Sequence, residues 1–413
     1  MIGSLYSGIS GLNANSLAMS VIGDNIANIN TPSFKGNRAS FASVLSQSLA
    51  GSTGNEIGRG VQLWGISSSW NQGAVETTSN PTDLAINGKG FFTVRDRNDG
   101  SIFYTRAGAF NFDDLGNLIN PDGLIVQGYE AANVNPDGTF TLGSITDINV
   151  PQASTTPPQA TTEFRMDLNL DAGAAVTDTY TTTLTAYDSL GNTIPVTITF
   201  TNAGPGAWTA APSIPASAGS ATINGAASMP LTFDVNGNLT PPPAADPTIS
   251  LALTNGVLQP LTWDIYDDSN VSFGDITGYA SPSVTAFQTQ DGFTSGSLRG
   301  VSVDEDGVVT GSYSNGQLVP LYQVVLADFP SYWGLGKMGD NLYAESRASG
   351  QPIPGTAGTA SLGSISPSAL EGSNVDLATE FVKMITAQRA FQANSRVITT
   401  SDEILSELIN LKR

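Results

Sequence analysis

The fold of this chain is decided by its C-terminal stretch, residues 373–410, which reads SNVDLATEFVKMITAQRAFQANSRVITTSDEILSELIN. Alternate steps of four and three residues from Leu377 meet an apolar side chain at seven of ten positions. Such a heptad seam is typical of a helix that packs against another helix. No Pro or Gly interrupts the stretch, and Ser373 with Asp376 predicts its start. The apolar seam positions are Leu377, Phe381, Met384, Phe391, Ile398, Leu405 and Ile409.

The same spacing recurs at the N-terminus, where five of eight positions from Leu5 to Asn30 are apolar. Pro32 predicts the end of this helix, because the residue before a proline is pushed out of the helical region. The apolar positions are Leu5, Ile9, Leu12, Met19 and Ile26. Periodicity leaves two arrangements open: an antiparallel helix pair within one chain, or a coiled coil between chains.

The composition excludes several kinds of site. The 413 residues contain no cysteine and no histidine, which excludes disulfides, thiol nucleophiles and thiolate or imidazole metal ligands. The formal net charge of −20 argues against nucleic acid and anionic membranes as partners. No stretch approaches the length of a membrane span, so we expect no membrane insertion.

The composition also bears on localisation. Only 13% of the residues are charged, and small polar residues abound, as in exported β-rich surface proteins. The N-terminus does not resemble a secretory signal, because the first basic residue is Lys35 and a continuous apolar core is missing. We therefore expect export by a dedicated route without a cleaved signal peptide.

Short apolar runs and turn signals between the helices predict β-strands. Asn87-Gly88 is a tight-turn signal, and Asp188–Asn192 predicts a hairpin between 181–186 and 195–200. The predicted fold class is mainly β with α-helical termini. We predict terminal coiled-coil helices at 1–31 and 371–413, connectors at 32–73 and 350–370, an inner β domain at 74–145 and 281–349, and, inserted in it, an outer β-barrel or sandwich domain at 146–280. The insert contains twelve acidic residues and one basic residue, Arg165, which leaves it a net charge of −11.

Few residues suggest chemistry. The carboxylates around Asp96 and Asp304 lack the spacing of a calcium-binding loop, and hairpin turns account for them. Paired carboxylates also leave a glycosidase open as an alternative, although no aromatic-rich setting supports it. Arg389 and Arg396 lie seven residues apart on one helix face, which indicates a solvated or subunit-bridging surface.

Several motifs resemble one family. SGLNANS at 10–16 and NIANINTPSFK at 25–35 are similar to the N-terminal signature of bacterial flagellar rod and hook proteins. Further matches in the family's order are NPTDLAINGKGFF at 80–92, YTRAG at 104–108, QGY at 127–129, LEGSNVDL at 370–377 and QRAFQAN at 388–394. The size and the large Thr-rich insert fit the hook members better than the shorter distal rod members. Two residues depart from the family pattern: Ser33 replaces the usual Gly, and Phe391 a common Tyr.

The resemblance implies a structural protein without enzymatic activity, cofactor or metal. Subunits of the family form a helical homopolymer, a curved tube that transmits torque from rod to filament and encloses an export channel. The implied partners are the distal rod protein, the hook cap, the hook–filament junction proteins, the hook-length control protein and the flagellar type III export apparatus. The implied location is the flagellum at the cell surface. The alternatives are a distal rod protein of the same family or an extracellular β-sandwich adhesin.

The resemblance also assigns roles on the terminal helices. The subunit-interface prediction comprises the N-terminal seam residues and Leu377, Phe381, Met384, Phe391, Ile398 and Leu405. Thr386, Ala393 and Thr400 lie on the other side of the C-terminal helix and are small or uncharged. We predict that they face the channel, since a wall without charge or strong hydrophobicity lets unfolded chains pass. A second helix contact is the alternative for this face.

Overall fold

The computed structural model describes residues 2–44, 47–48, 56–57, 59–134, 139–151, 153–240, 246–266 and 274–410. Within these ranges the chain is mainly β, with a helix at each end: α1, Ile2–Ala27, and α2, Leu377–Asn410. A short 3-10 helix covers Tyr332–Gly334. The predicted fold class, mainly β with helical termini, is therefore confirmed. No helix in the described ranges is long and apolar enough to cross a membrane.

The ends of the two helices follow from local chemistry. Asp376 is the N-terminal cap of α2, because its Oδ1 accepts a hydrogen bond from the Thr379 N–H at 2.7 Å. Ser373, the other predicted cap residue, instead accepts a bond from the Val375 N–H before the helix begins. Helix α1 ends at Ala27, and turns lead from there to Pro32.

The chain folds into two compact units. The first unit comprises Met1–Gln152, Val301–Gly311 and Val319–Arg413, and the second comprises Ala153–Gly300 and Ser312–Leu318. The chain passes between the units within three strands, which are Gly296–Val303, Val308–Tyr313 and Leu318–Val324.

The first unit contains both helices and a large sheet. Strand Phe91–Arg95 lies at its centre, because it pairs with Ile102–Thr105, Ile125–Ala132 and Leu326–Asp328. Phe91, Phe92 and Val94 are fully buried there. The other strands are Asn37–Ser43, Gln47–Ser48, Glu56–Ile57, Val61–Ser68, Val75–Thr77, Leu84–Asn87, Asn111–Phe112, Leu118–Ile119, Thr141–Asp147, Gly336–Gly339, Leu342–Ala344, Ile353–Gly355, Ser364–Pro367 and Ala369–Glu371.

The predicted turn at Asn87-Gly88 is present, but its neighbours do not form a hairpin with each other. Gly88 has a positive φ of 116°, a conformation that glycine adopts without steric cost. Strand Leu84–Asn87 pairs with Ser364–Pro367 from near the C-terminus. Turn residues alone do not reveal this long-range pairing, which forms a two-stranded sheet of its own.

The second unit is built from two sheets that share one hydrophobic core. The predicted hairpin around Asp188 is confirmed, because Thr179–Tyr187 pairs with Thr193–Gly204. Phe164 and Trp263 stack in the core with ring centroids 5.7 Å apart. The other strands are Thr155–Thr156, Glu163–Asn169, Ala207–Ser213, Gly219–Ile223, Met229–Thr232, Thr248–Leu253, Leu258–Trp263, Ile276–Thr277 and Val284–Gln290.

The boundaries of the second unit differ from those predicted for the acidic insert. Strand Val284–Gln290 was assigned to the inner β domain, but it pairs with Glu163–Asn169 in the second unit. Conversely, Ile148 and Val150 belong to the core of the first unit, where they are 0% and 4% exposed. The predicted boundaries followed changes in composition at 146 and 280, whereas strand pairing determines the unit to which each segment belongs. The predicted nesting, with the terminal helices as a domain of their own, stays a prediction.

Candidate functional site

The two terminal helices lie together, and they contact each other through small residues. Gly8, Gly11 and Ala14 are buried in α1. A Cβ atom on Gly8 would lie 3.2 Å from Ile398 Cγ1, and one on Gly11 would lie 2.8 Å from Asn394 Nδ2. A Cβ at 3.2 Å would require a small shift of Ile398, and one at 2.8 Å would require the Asn394 side chain to move, so glycine permits the closest approach at both positions. The close approach of α1 and α2 therefore depends on side chains that the apolar pattern did not include.

The most buried residues of α2 form a row along the helix, and several of them stand one position before a residue of the predicted seam. Glu380, Ala387 and Ser401 are buried, whereas Leu377 and Phe381 are 41% and 47% exposed. Small residues of α1 let the helices come close, so that Ile398 lies against Gly8, whereas Leu377 and Phe381 remain largely exposed. The remaining predicted interface residues of α2, which are Met384, Phe391, Ile398 and Leu405, are half-buried.

Helix α1 shows the same displacement. Its buried positions include Ile22 and Asn25, and Asn25 precedes the predicted interface residue Ile26 by one position. Ile9 is 39% exposed. The other predicted interface residues, Leu5, Leu12, Met19 and Ile26, are half-buried. Their role between subunits stays a prediction.

The predicted channel-facing residues Thr386, Ala393 and Thr400 are exposed. The hydroxyl of Thr386 donates to the Lys383 carbonyl at 2.7 Å, and that of Thr400 donates to the Arg396 carbonyl at 2.8 Å. Both hydroxyls are thus satisfied by their own helix. This surface has no charge at these positions and no free hydroxyl donor on either threonine.

A buried charged cluster lies beside the segments that lead into the helices. Lys35 Nζ lies 2.6 Å from Glu371 Oε1, and Arg106 Nη1 lies 3.4 Å from Glu371 Oε2. These side chains are at most 5% exposed. Lys35 also donates to the Asn71 carbonyl at 2.9 Å, and Arg106 Nη2 donates to the Gly88 carbonyl at 2.5 Å. One carboxylate therefore holds cations from two distant segments.

Burial changes the titration of both cations. Desolvation lowers the pKa of Lys35 and of Arg106 below their ordinary values, and the neighbouring Glu371 opposes this change. Hydrogen bonds to protein oxygens replace water molecules that each cation would bind in solution. The cluster is thus a fixed structural junction.

Ser33 completes this junction. Its φ is +58°, a left-handed conformation that non-glycine residues seldom adopt. The Ser33 N–H donates to the Glu371 carbonyl at 2.7 Å, and its hydroxyl donates to the Arg106 carbonyl at 2.7 Å. The turn therefore requires a positive φ, which explains why glycine suits this position. Serine adds a hydrogen bond that glycine lacks.

Two asparagines connect the helices to the adjacent strands. Asn25 of α1 exchanges two hydrogen bonds with the backbone of Asn37, at 2.8 Å and 2.7 Å, and donates to Glu380 Oε2 of α2 at 3.2 Å. Asn374 accepts from the Gly36 N–H at 2.8 Å and donates to the carbonyls of Ser69 and Asn71. The start of α2 and the end of α1 are therefore held in one polar network.

The charged residues Lys35, Arg106 and Glu371 all lie inside motifs that the sequence analysis singled out. Their roles were missed, because residues such as Lys35 and Glu371 are 336 positions apart. A sequence shows the two charged residues of a buried ion pair, each within its own motif, but not that they pair. The motif positions were therefore the available signal.

The carboxylates considered as cation ligands have local partners. Asp96 Oδ1 accepts from the Asn98 N–H at 2.8 Å, and Asp304 Oδ1 accepts from the Val308 N–H at 2.8 Å. Asp113 repeats the arrangement with Asn117, and these bonds lower its pKa to about 2. In the ranges that the structure describes, acidic side chains form no group suited to hold a metal ion.

Comparison with protein-family models matches four segments. Residues 5–35 match the flagellar basal body rod protein model, and residues 366–411 match the flagellar basal body rod FlgEFG protein C-terminal model. Residues 85–165 match the flagellar hook protein FlgE/F/G D1 domain, and residues 149–293 match the flagellar basal body protein FlaE D2 domain.

Full-length relatives decide the assignment. The flagellar hook protein FlgE of Escherichia coli K12 is 35% identical over 98% of both chains, and that of Rhizobium meliloti is 36% identical over 100% of both. The chain belongs to the flagellar hook protein family. As a flagellar hook protein, it is a structural subunit of the bacterial flagellum that assembles into the hook polymer.

A solved structure supports the fold of this flagellar hook protein. The Helicobacter pylori flagellar hook protein FlgE2 aligns with a TM-score of 0.52 and 15% identity, over 70% of this chain and 98% of that one. At this identity the likeness concerns the fold alone. The resemblance to rod and hook proteins and the hook function are thus confirmed, and the adhesin, glycosidase and distal rod alternatives are superseded.

Proposed function

We propose that copies of the chain join through the exposed apolar faces of α1 and α2, so that the helices form the inner wall of the hook tube. The observation that carries the proposal is the exposure of large apolar side chains on helices that already contact each other. Tyr6 and Leu17 of α1 are 64% and 42% exposed, and Val382 and Ile385 of α2 are 61% and 49% exposed. Exposed apolar surface of this extent favours association with further helices.

The acidic segment 146–280 favours contacts between neighbouring copies that can slide past one another. Residues 146–280 account for more than half of the net negative charge of the chain, −11 of −20, and contain one basic residue. Neighbouring copies therefore gain little from ion pairs in this region, and their contacts are weak and exchangeable. Such contacts allow the tube to bend as it rotates and to act as a universal joint between rod and filament.

Export and partner recognition follow from membership of the tube. We infer that the chain leaves the cell through the flagellar type III export apparatus and meets the distal rod protein, the hook cap, the hook–filament junction proteins and the hook-length control protein. The family membership supports these partners as a group. The absence of cysteine suits passage of an unfolded chain, since no disulfide has to form or be avoided.

The assembly role is tested by electron microscopy of concentrated, purified protein and of cells that carry each variant. We expect tubes from the unsubstituted chain and none from Phe381→Asp, because a charge would enter the buried contact between copies. Leu115→Asp is the matched control, because Leu115 is an exposed turn residue of the same unit, 65% accessible. Tube formation by Phe381→Asp would contradict the proposed interface.

The channel role of the second face is tested separately. Thr386, Ala393 or Thr400 is replaced singly by Lys. We expect hooks to form while filament growth beyond them slows, because cationic groups in the channel wall retain passing chains. Loss of the hooks themselves would show that this face packs against another helix.

A further inference from the structure

A lysine, an asparagine and an aspartate meet between the end of α1 and strand Gly336–Gly339. Lys337 Nζ donates a hydrogen bond to the side-chain oxygen Oδ1 of Asn37 at 2.5 Å, although the two residues are 300 positions apart. The Nδ2 group of Asn37 in turn donates to Asp24 Oδ2 at 3.4 Å. All three residues line one cavity of about 300 Å³. The Asn37 amide is thus held between an amine and a carboxylate.

The Asn37 amide is fixed in place by buried neighbours. Asn25, which is 3% exposed, exchanges two hydrogen bonds with the Asn37 backbone. The hydroxyl of Ser68, a residue that is 7% exposed, donates to Asn37 Oδ1 at 3.2 Å. Oδ1 therefore accepts hydrogen bonds from two donors. Such donors polarise a carbonyl and stabilise negative charge that develops on its oxygen during a reaction.

The amine of Lys337 lies within reach of the amide carbon. A carbonyl bond is about 1.23 Å long, so Nζ, which is 2.5 Å from Oδ1, lies at most about 3.7 Å from Asn37 Cγ. Reacting atoms held about 3–3.5 Å apart are well placed for attack. Lys337 is exposed as a whole residue, but burial of its amino group lowers its pKa, which the charge of Asp24 opposes. A lowered pKa increases the share of neutral amine, which is the nucleophilic form.

We propose that Lys337 and Asn37 join spontaneously in an isopeptide bond, with Asp24 as the proton-transfer group. Lys337 Nζ attacks Asn37 Cγ, and the Asp24 carboxylate takes the proton that the attacking amine loses. The tetrahedral intermediate carries negative charge on Oδ1, which the Ser68 hydroxyl stabilises. Asp24 then gives the proton to Nδ2, the Cγ–Nδ2 bond breaks, and ammonia leaves. One C–N bond forms and one breaks, so the reaction needs no oxidant, reductant or further reagent.

The bond would join two distant segments of the first unit within one copy of the chain. Asn37 begins the strand that follows α1, and Lys337 lies in strand Gly336–Gly339. A covalent link between them closes a loop of about 300 residues, and closure of a long loop removes chain entropy from the unfolded state. The link is internal to one copy. It therefore goes beyond the assembly proposed above, and its test is independent of tube formation.

Intact-mass spectrometry of the full-length chain, purified and then denatured, tests the bond. We expect the unsubstituted chain to be lighter than its sequence requires by one molecule of ammonia. Lys337→Arg keeps the positive charge and should restore the full mass. Lys89→Arg is the matched control, because Lys89 is an exposed lysine of the same unit, and this variant should still lack the ammonia. Tryptic digestion of the unsubstituted chain should yield one branched peptide that contains both Asn37 and Lys337.

Two results would overturn the proposal. The first is an unsubstituted chain of full mass. The second is a loss of ammonia that persists in Lys337→Arg, because an asparagine can also lose ammonia by closing a ring on its own backbone, without any lysine.

Asp24→Asn tests the proton transfer, because it keeps the size of the side chain and removes the carboxylate. We expect the rate at which the lighter form appears after synthesis to fall by about a hundredfold or more. Pulse-labelled cells sampled over time, with the same mass measurement, give this rate. Equal rates in Asp24→Asn and in the unsubstituted chain would overturn the proposed mechanism.

Discussion

At the scale of single residues, the junction beside the helices explains why charged residues stand inside the motifs. Glu371 is fully buried and lies against both Lys35 and Arg106. A buried ion pair adds little net stability compared with apolar side chains packed in the same place. It does favour one arrangement, because each buried charge must lie against its opposite charge. Three separate segments are thereby brought together in one arrangement.

Removal of the shared carboxylate gives a measurable prediction. Glu371→Ala would leave two cations buried without their counter-ion, so we expect the free energy of unfolding of the first unit to fall by about 3–5 kcal/mol. Urea denaturation followed by tryptophan fluorescence measures this change. Glu345→Ala is the control, since Glu345 is exposed, and a surface substitution changes stability by about 0.5 kcal/mol or less. Equal effects of the two substitutions would contradict the role of the cluster.

Ser33 shows what the sequence could and could not reveal at this scale. The sequence shows that Ser33 replaces the family's usual glycine, and the structure gives this serine a φ of +58°. The hydrogen bond from its hydroxyl to the Arg106 carbonyl spans 73 positions. A local pattern predicts a turn, but it does not contain the partner that stabilises it.

At the scale of elements, the heptad pattern predicted both helices but displaced their mutual contact by one residue. The heptad pattern is recognised by the spacing of large apolar side chains. The contact between α1 and α2 instead uses Gly8, Gly11 and Ala387, because small residues let the backbones approach. Of the large apolar residues that define the pattern, Ile398 lies against Gly8, whereas Leu377 and Phe381 remain exposed. The pattern therefore identifies the helices correctly and does not tell which face meets which partner.

Two glycines of α1 distinguish packing from helix propensity. A Cβ on Gly23 would meet no atom within 4 Å, whereas one on Gly11 would lie 2.8 Å from the Asn394 side chain. We expect Gly23→Ala to stabilise α1 by about 0.5–1 kcal/mol, because alanine favours helix. Gly11→Ala should lose this gain by forcing Asn394 away. Limited proteolysis of the helices measures both effects, and equal protection by the two substitutions would contradict the close contact.

At the scale of the whole molecule, the order of the chain is predictable, and the unit boundaries are not. The sequence places an acidic β segment inside another β segment, and the structure finds two compact units with the second formed mostly by Ala153–Gly300. The strand that changes unit, Val284–Gln290, has no charge or turn signal that sets it apart. Its partner, Glu163–Asn169, is more than 100 residues earlier in the chain, so only the pairing itself assigns it.

This difference leads to a comparison of two deletions. Removal of 155–297 with a short Gly-Ser closure should leave the first unit folded, because the Leu298 N–H already donates to the Ser154 carbonyl at 3.0 Å and the cut ends are adjacent. Removal of 146–280, the boundaries predicted from composition, should fail. It deletes Ile148 and Val150 from the core of the first unit and leaves Val284–Gln290 without its partner strand. An unpaired strand of this kind exposes backbone groups that promote aggregation.

Size-exclusion chromatography and thermal unfolding of both proteins measure the difference. We expect a monomer with a cooperative transition from the first deletion and aggregates from the second, and equally soluble products would show that the composition boundaries suffice.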